Sequence, residues 1–555
     1  MTALASIADP AGKIAGSVRP GFAIGTRNPG LAVLGWGIAL AVLLPIIALA
    51  AIASRGSGDL WPHLLRYVFP QAVTETVLLL AGTGLLVIAI GTGTAWLVTA
   101  FRFPGRNLFT WALLLPLAMP AYIVAYSYMD LLHPVGPVQT MLRDLLGISR
   151  PQDLQLPDIR SLGGCILLFG FVLYPYVYLN VRVGLLMQSA EPFEAAQIDG
   201  ASYARIFAHI ALPLVRPAIA AGAGLALMEA LADLGASELL GVQTLTVSVY
   251  VTWVTRGSVE GAAQIALAML VPVAGLLWLA NRSRVAEGSA SGASPPALRQ
   301  LGLTSGLFAA AACAVPILLG FLAPAAHLML LSAARIIDRG VSPMLLDYAW
   351  NSARFAAMAT MIAIAAGFAL ALCQRYRRAN GPTRLVQTGY AVPGTVLAVG
   401  LLGILSAVDA MIGLMEVESL RGALLLASAV GVVLAYLARF LAIPASALEA
   451  GYAKLSRALD EAAQSEGAGI AAIAGKIHWP LLRPVIGAAA LLMFIECVKE
   501  LPATLLLRPL NTETLATFLY GEASRGVYED GAIAALVMLA LGLLPLILLS
   551  SKQIR

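Results

Sequence analysis

The chain has 555 residues, 59% hydrophobic and 12% charged, with a net charge of +5 and a mean hydropathy of +0.85. Soluble globular proteins carry roughly 25% charged residues, so half that share leaves too little polarity to cover a water-facing surface, and the medium must be lipid. Nucleic-acid binding needs basic residues clustered on a soluble face, and the sequence has no such cluster, so no nucleic-acid partner is expected.

Lys13, Arg19 and Arg27 precede an apolar run from Leu31 to Ala53. That run is well beyond the roughly 7–15 residues of a cleavable secretory core, so it is expected to stay attached as a first membrane helix. Further runs long enough to cross about 30 Å of hydrocarbon fall at 76–100, 108–132, 162–187, 211–235 and 260–280. A second set falls at 301–332, 351–373, 386–409, 422–445, 481–505 and 530–550. Thr74 and Asn351 are read as caps at the start of two of these runs. Between the sets, Asn281 to Gln300 is rich in Ser, Gly, Ala and Pro with no apolar period, the composition of a flexible linker. The expected fold is an all-α integral membrane protein with about twelve transmembrane helices in two homologous six-helix halves. The halves are residues 1–280 and 301–555, joined by a cytoplasmic linker over 281–300.

The positive-inside bias orients this layout. With the N-terminus inside, inner segments carry Lys13, Arg19 and Arg27, then Arg102 and Arg106, then Arg282, Arg284 and Arg299. Arg375, Arg377, Arg378 and Arg384 follow, and finally Lys552 and Arg555. An outer loop holds Asp409, Glu416 and Glu418 without Lys or Arg. Both termini are therefore expected in the cytoplasm. Cys165, Cys313, Cys373 and Cys497 lie in apolar runs with no metal-ligand spacing, and the five histidines are scattered, so no metal or nucleophile site is assigned.

A repeat links the halves. EAAQIDGASYARIFAHIALPLVRPAI begins at Glu194 and EAAQSEGAGIAAIAGKIHWPLLRPVI at Glu461, so counterparts lie 267 positions apart without a gap. Further upstream, AMPAYIVA from Ala118 meets AVPGTVLA from Ala391. With six helices per half, both copies share one orientation in the membrane and both loops face the cytoplasm. Good helix formers open each loop, Gly200 or Gly467 permits a sharp turn, and Pro213 or Pro480 stands where the chain re-enters the membrane.

Inside the membrane, Glu229 and Asp233 lie four apart on one helical face, and Glu496 and Glu500 repeat the pair 267 positions on. A carboxylate costs a few kcal/mol or more in a bilayer unless it faces a cavity or partner, so these four are candidates for a solute pathway. Pairing with Lys499 or Arg508, or a place at a helix end, is the structural alternative. Tyrosines 122, 126, 128, 174, 176 and 178 are oxygen donors more simply explained by packing or interfacial anchoring.

The pattern E-A-A, three residues, Gly, nine residues, I-x-L-P resembles the EAA loop of binding-protein-dependent ABC importer permeases. The first copy ends Ile210-Ala211-Leu212-Pro213; the second ends Ile477-His478-Trp479-Pro480, with Trp in place of Leu. The resemblance implies the type I importer permease fold and coupling helices that fit clefts on a homodimeric ATPase. Carried over, the coupling residues are Glu194, Ala195, Ala196, Gly200 and Pro213 in loop 191–213, and Glu461, Ala462, Ala463, Gly467 and Pro480 in loop 458–480. It also implies an extracytoplasmic solute-binding protein as partner and a place in the bacterial inner membrane. ATP and Mg²⁺ would belong to the ATPase, leaving this chain without a cofactor and without enzymatic activity. The nearest approach to a phosphate-binding G-x-x-x-x-G-K-[ST], Gly469 to Lys476, has the wrong spacing and no following Ser or Thr.

KELPATLLLRP from Lys499, with MEALADLGASELLGVQTLT from Met228 and the fused layout, resembles the ferric-iron permease branch; fused thiamine permeases share the layout. Hard carboxylate oxygens suit a hard trivalent cation. Thiamine, a chelate or a phosphonate are alternative solutes. An ion-gradient-driven secondary transporter would share twelve helices and a repeat but has no use for duplicated EAA loops, and no catalytic pair points to a membrane enzyme.

Overall fold

The computed structural model describes residues 29–148, 150–154, 156–284, 298–377, 380–414 and 428–553. Lys13, Arg19, Arg27, Arg378, Glu416, Glu418 and Arg555 lie outside these residues, as do linker positions 285–297 and the first residues of the expected span 422–445.

Twelve spans are labelled in chain order. The first half has α1 (Pro29–Ala53), α2 (Phe69–Ala100), α3 in two pieces (Arg106–Ala118 and Ala121–Leu131), α4 (Leu162–Leu186), α5 in two pieces (Tyr203–Leu214 and Arg216–Ala232) and α6 (Val259–Arg284). The second has α7 (Leu303–Arg339), α8 (Met344–Arg377), α9 (Gly394–Leu414), α10 in two pieces (Ala429–Phe440 and Ala442–Ala453), α11 (Ile470–Lys499) and α12 (Tyr528–Gln553). Among the described residues, eight helices are long and apolar enough to cross a bilayer alone, and up to eleven if each bent pair is one span. The last expected span coincides with α12.

Two expected caps are corrected. Thr74 lies inside α2, which starts at Phe69 with Pro70 in its first turn, and the Thr74 hydroxyl donates to the Pro70 carbonyl at 2.8 Å. Asn351 lies inside α8, its amide donating to the Glu513 carbonyl at 3.0 Å. In both cases the helix extends through residues upstream of the strictly apolar run, where hydropathy underestimates a helix that leaves the lipid.

Among the described residues a local rule recurs at four helix entries. Wide five-residue turns at Leu64–Val68, Phe207–Ala211, Leu318–Leu322 and Ala474–His478 each stand just ahead of a proline: Pro70, Pro213, Pro324 and Pro480. Proline lacks an N–H and its ring crowds the carbonyl four residues back. That carbonyl falls inside the wide turn each time, and the loosened i→i+5 geometry relieves the crowding.

The packing does not follow the division of the chain. α1 lies between α6 of its own half and α9, α8 and the helix Gly381–Gly389 of the second half, and α7 lies against α3 and α4 of the first half as well as α12 of its own. Close backbone approach secures both exchanges: a Cβ on Gly400 of α9 would meet the Pro45 carbonyl of α1 at 2.0 Å, and one on Gly320 would meet the Phe171 carbonyl of α4 at 2.1 Å. In lipid, where apolar contact alone gives little preference, such small-residue contacts are what hold helices together. Each half therefore opens with a helix lodged on the other. Two-residue parallel strands, β1 (Phe101–Arg102) and β2 (Arg299–Gln300), tie the linker's end to the turn after α2.

Candidate functional site

The two EAA segments fold alike. Glu191–Ile198 and Ala458–Ser465 are short helices, so each Glu-Ala-Ala sits one turn inside its helix. Gly200 and Gly467 follow with φ +76° and +84°. A Cβ at either would meet open space, so the left-handed backbone, not crowding, requires glycine. Tyr203–Ile206 and Ile470–Ile473 then lead into the membrane. Glu194, Ala195, Glu461 and Ala462 are exposed, and Ala196 and Ala463 half-buried. Pro213 and Pro480 stand in the first turn after their wide turns.

Beneath that common outline the supports differ. In the first half Phe193, on the hidden face of its helix, stacks on Trp96 with centroids 6.5 Å apart. Phe207 lies 5.3 Å from the same Trp96, and Tyr203 lies 5.3 Å from Phe101 and under the Arg299 guanidinium at 4.8 Å. In the second half the counterpart of Phe193 is Asp460, buried between Arg375 Nε (2.6 Å) and His478 Nε2 (2.8 Å). Arg375 also donates to the carbonyls of Tyr452, Leu455 and Ser456, and Tyr452 hydrogen-bonds His478 Nδ1 at 3.1 Å. Burial alone would raise the Asp460 carboxyl, but the hydrogen bonds from Arg375 and His478 and their charge reverse this and hold it below the ordinary carboxylate range.

At the far ends of α5 and α11 the four intramembrane carboxylates meet. Glu229, Asp233, Glu496 and Glu500 line one cavity with Arg439, Lys499, Tyr122 and Tyr176, with room for water-sized occupants totalling about 90 Å³. That is space for a few waters. The carboxylates fall into two kinds. Asp233 and Glu500 stand just past the ends of their helices and cap the next short one. Asp233 Oδ1 accepts from Ala236 N–H at 2.7 Å, and Glu500 accepts from Ala503 and Thr504 N–H at 2.9 Å and from the Thr504 hydroxyl at 2.7 Å. Glu229 and Glu496 accept no hydrogen bond from a described residue, although both lie within electrostatic reach of Arg439. No group of three His, Cys, Asp or Glu among the described residues could hold a metal ion in this conformation.

Of the expected alternatives, a place at a helix end holds for Asp233 and Glu500, while neither Lys499 nor Arg508 forms an ion pair with the four carboxylates. Arg508 pairs with Glu513, Lys499 Nζ donates to the Leu117 carbonyl at 3.4 Å, and Glu500 instead has Arg439 Nη1 at 3.3 Å. Of the tyrosines only Tyr122 and Tyr176 reach the cavity; Tyr126, Tyr128 and Tyr178 donate to carbonyls of Tyr528, Leu319 and Thr110 and serve packing. Sequence reasoning missed Arg439, whose signal was a lone arginine inside an apolar span. It missed the Arg375–Asp460–His478 cluster, which no spacing announces. It also missed Ile198, 86% exposed on the first EAA helix.

Residues 86–283 match the family model for the binding-protein-dependent transport system inner membrane component. The chain is 24% identical to a probable ABC transporter permease, y4fN, of Sinorhizobium fredii, over 91% of this chain and 90% of that protein. It is 23% identical to the Fe(3+)-transport system permease FbpB 2 of Haemophilus influenzae, over 93% and 96%. It is also 30% identical to the molybdenum transport system permease ModB of Escherichia coli, over 39% of this chain and 96% of that protein. These relatives are membrane transport components and not enzymes, and an ion-gradient-driven carrier is thereby set aside. Apolar spans, paired EAA loops and these similarities lead to one conclusion: the chain belongs to the binding-protein-dependent ABC transporter permeases, a multi-pass inner-membrane subunit that works with an ATPase and a solute-binding protein.

Proposed function

We propose that this permease imports a ferric cation, handed over by its binding protein and driven by a homodimeric ATPase seated on the two EAA loops. One observation carries the substrate reading: four carboxylates line the cavity against two cationic side chains, Arg439 and Lys499. An anionic solute, a phosphonate or an oxyanion, would meet net repulsion there, whereas a hard cation finds hard oxygen ligands. The likeness to the Fe(3+)-transport permease along nearly the full length of both chains supports the same choice.

In this reading Glu194, Ala195, Ala196, Gly200 and Pro213, with Glu461, Ala462, Ala463, Gly467 and Pro480, form the ATPase-facing surface. ATP and Mg²⁺ are held by the ATPase and not by this chain. Both termini lie in the cytoplasm, a reading supported by Arg299 and Arg375, which sit against the first and second EAA segments. Closure of the ATPase dimer pulls on both loops and opens the cavity outward; hydrolysis resets it. Glu229 and Glu496, free of structural hydrogen bonds, are the cavity's solute-facing carboxylates, while Asp233 and Glu500 shape the helix breaks beside them.

The test is uptake into proteoliposomes holding permease, ATPase and binding protein, with radioactive Fe(III), molybdate and thiamine compared. Fe(III) should accumulate with ATP, and Glu229→Gln with Glu496→Gln should cut that uptake at least tenfold. Accumulation of molybdate or thiamine without Fe(III), or Fe(III) uptake untouched by the two substitutions, overturns the reading.

A further inference from the structure

Arg439 is held unlike any other arginine described in the chain. Its side chain is one-tenth exposed, yet Nε has no hydrogen-bond partner and Nη1 reaches Glu500 only at 3.3 Å. Charge-assisted N–H···O bonds settle at about 2.7–2.9 Å, so this contact is loose. Glu500 does not depend on it, because two backbone N–H groups and the Thr504 hydroxyl already satisfy its carboxylate at 2.9 Å or closer. Apart from the Phe440 ring, 5.3 Å from the guanidinium carbon, Arg439 is therefore kept in the cavity by the general negative charge of Glu229, Glu496 and Glu500, not by a fitted bidentate site.

The surroundings are built to admit it. Gly394 opens α9 beside the pair, and a Cβ there would meet Glu500 Oε1 at 2.5 Å and Arg439 Nη1 at 3.0 Å. In the first half Ala121 stands at the matching place in AMPA against AVPG, and Val172 stands 267 positions before Arg439. Val172 lines the same cavity. One half thus contributes a cation where the other contributes an apolar wall. Arg439 also lies in the last turn before the 42° bend between the two pieces of α10, so movement at that bend carries the guanidinium with it.

We propose that Arg439 is a tethered counter-cation, occupying the translocation route between transport events and displaced from the carboxylates by the arriving substrate cation. The inference rests on the cation reading above. A guanidinium stays charged at every physiological pH, so it neutralises the cavity without a proton and keeps adventitious cations out of the resting route. The substrate must compete with it for Glu229 and Glu496, which ties entry to the bend of α10.

The experiment is equilibrium binding of Tb³⁺, a redox-inert trivalent probe, to the assembled transporter in nanodiscs without nucleotide, read by Tb³⁺ luminescence. Arg439→Met should bind Tb³⁺ at least tenfold more tightly than the wild type, and Arg439→Lys within about threefold of it. The gain should vanish when Glu229→Gln and Glu496→Gln are added to Arg439→Met. Arg439→Gln, smaller in perturbation, is read the same way should the Met variant fail to insert. Equal Tb³⁺ affinity in the wild type and in the neutral variants, with Fe(III) uptake intact in the wild type, overturns the tether while leaving the cation reading standing. Failure of the cation reading shows elsewhere, as wild-type proteoliposomes that accumulate molybdate and no Fe(III).

Discussion

The two EAA segments present the same exposed backbone and rest on different foundations. Each is a short helix, a left-handed glycine and a second helix, but one leans on Trp96 through Phe193 and the other on Arg375 and His478 through Asp460. Their exits differ too: the pieces of α5 meet at 70°, while α11 runs unbroken from Ile470 to Lys499. Duplication has preserved the exposed outline and left the hidden side free to find any packing that holds. An aromatic stack is indifferent to geometry at the level of tenths of an ångström. A buried ion cluster is not, since each charge needs its partners in place.

The largest difference between the segments should appear on truncating the hidden residue. Asp460→Ala leaves Arg375 and His478 buried around a missing anion, a loss of about 3–5 kcal/mol in systems of this kind. It should lower the thermal unfolding midpoint of the purified permease more than Phe193→Leu, which keeps most of an apolar contact and should cost less than about 1.5 kcal/mol. Equal shifts would erase the distinction between the two supports. The same comparison has an acid limb. The folded carboxyl of Asp460 titrates below its unfolded range, so its contribution is complete above about pH 4 and is lost as pH falls through the lower folded value. The wild type should therefore keep its advantage over Asp460→Ala across neutral and mildly acidic pH and surrender it only below that point.

A smaller effect should be the same in both halves. Gly200→Ala and Gly467→Ala each force a Cβ into the left-handed region at a cost of about 1–2 kcal/mol, with no steric clash added. Matching losses of stability and of ATPase stimulation in the two variants would show that the turn is what the copies share; a loss confined to one would show that even the exposed geometry has diverged.

Much of this architecture was legible in the residues. Hydropathy located the apolar spans, up to eleven of which are long and apolar enough among the described residues, because lipid tolerates no other backbone than one that satisfies itself. The repeat at 267-residue spacing located both EAA segments, and the cost of a charge in lipid singled out Glu229, Asp233, Glu496 and Glu500, which line one cavity. What was not legible depended on distance in space. Nothing in the spacing of Arg375, Asp460 and His478 says that three separate segments converge. The four carboxylates looked equivalent, and only their hydrogen bonds divide Asp233 and Glu500, which cap helices, from Glu229 and Glu496, which do not. The exchange of α1 and α7 between halves was hidden for the same reason, since a linear repeat records kinship and not which neighbour a helix chooses.

The most direct measurement is ATP-dependent Fe(III) uptake, with ATPase stimulation by loaded binding protein, in proteoliposomes carrying the wild type or Glu194→Lys with Glu461→Lys. Both residues are exposed on short helices, so the double substitution should leave insertion and stability within about 0.5 kcal/mol of the wild type. If the EAA segments receive the ATPase, uptake and stimulation should both disappear from a protein that is present and folded. Uptake and stimulation at wild-type levels in the double variant would contradict the assignment of these loops as the site where ATP hydrolysis is coupled to transport.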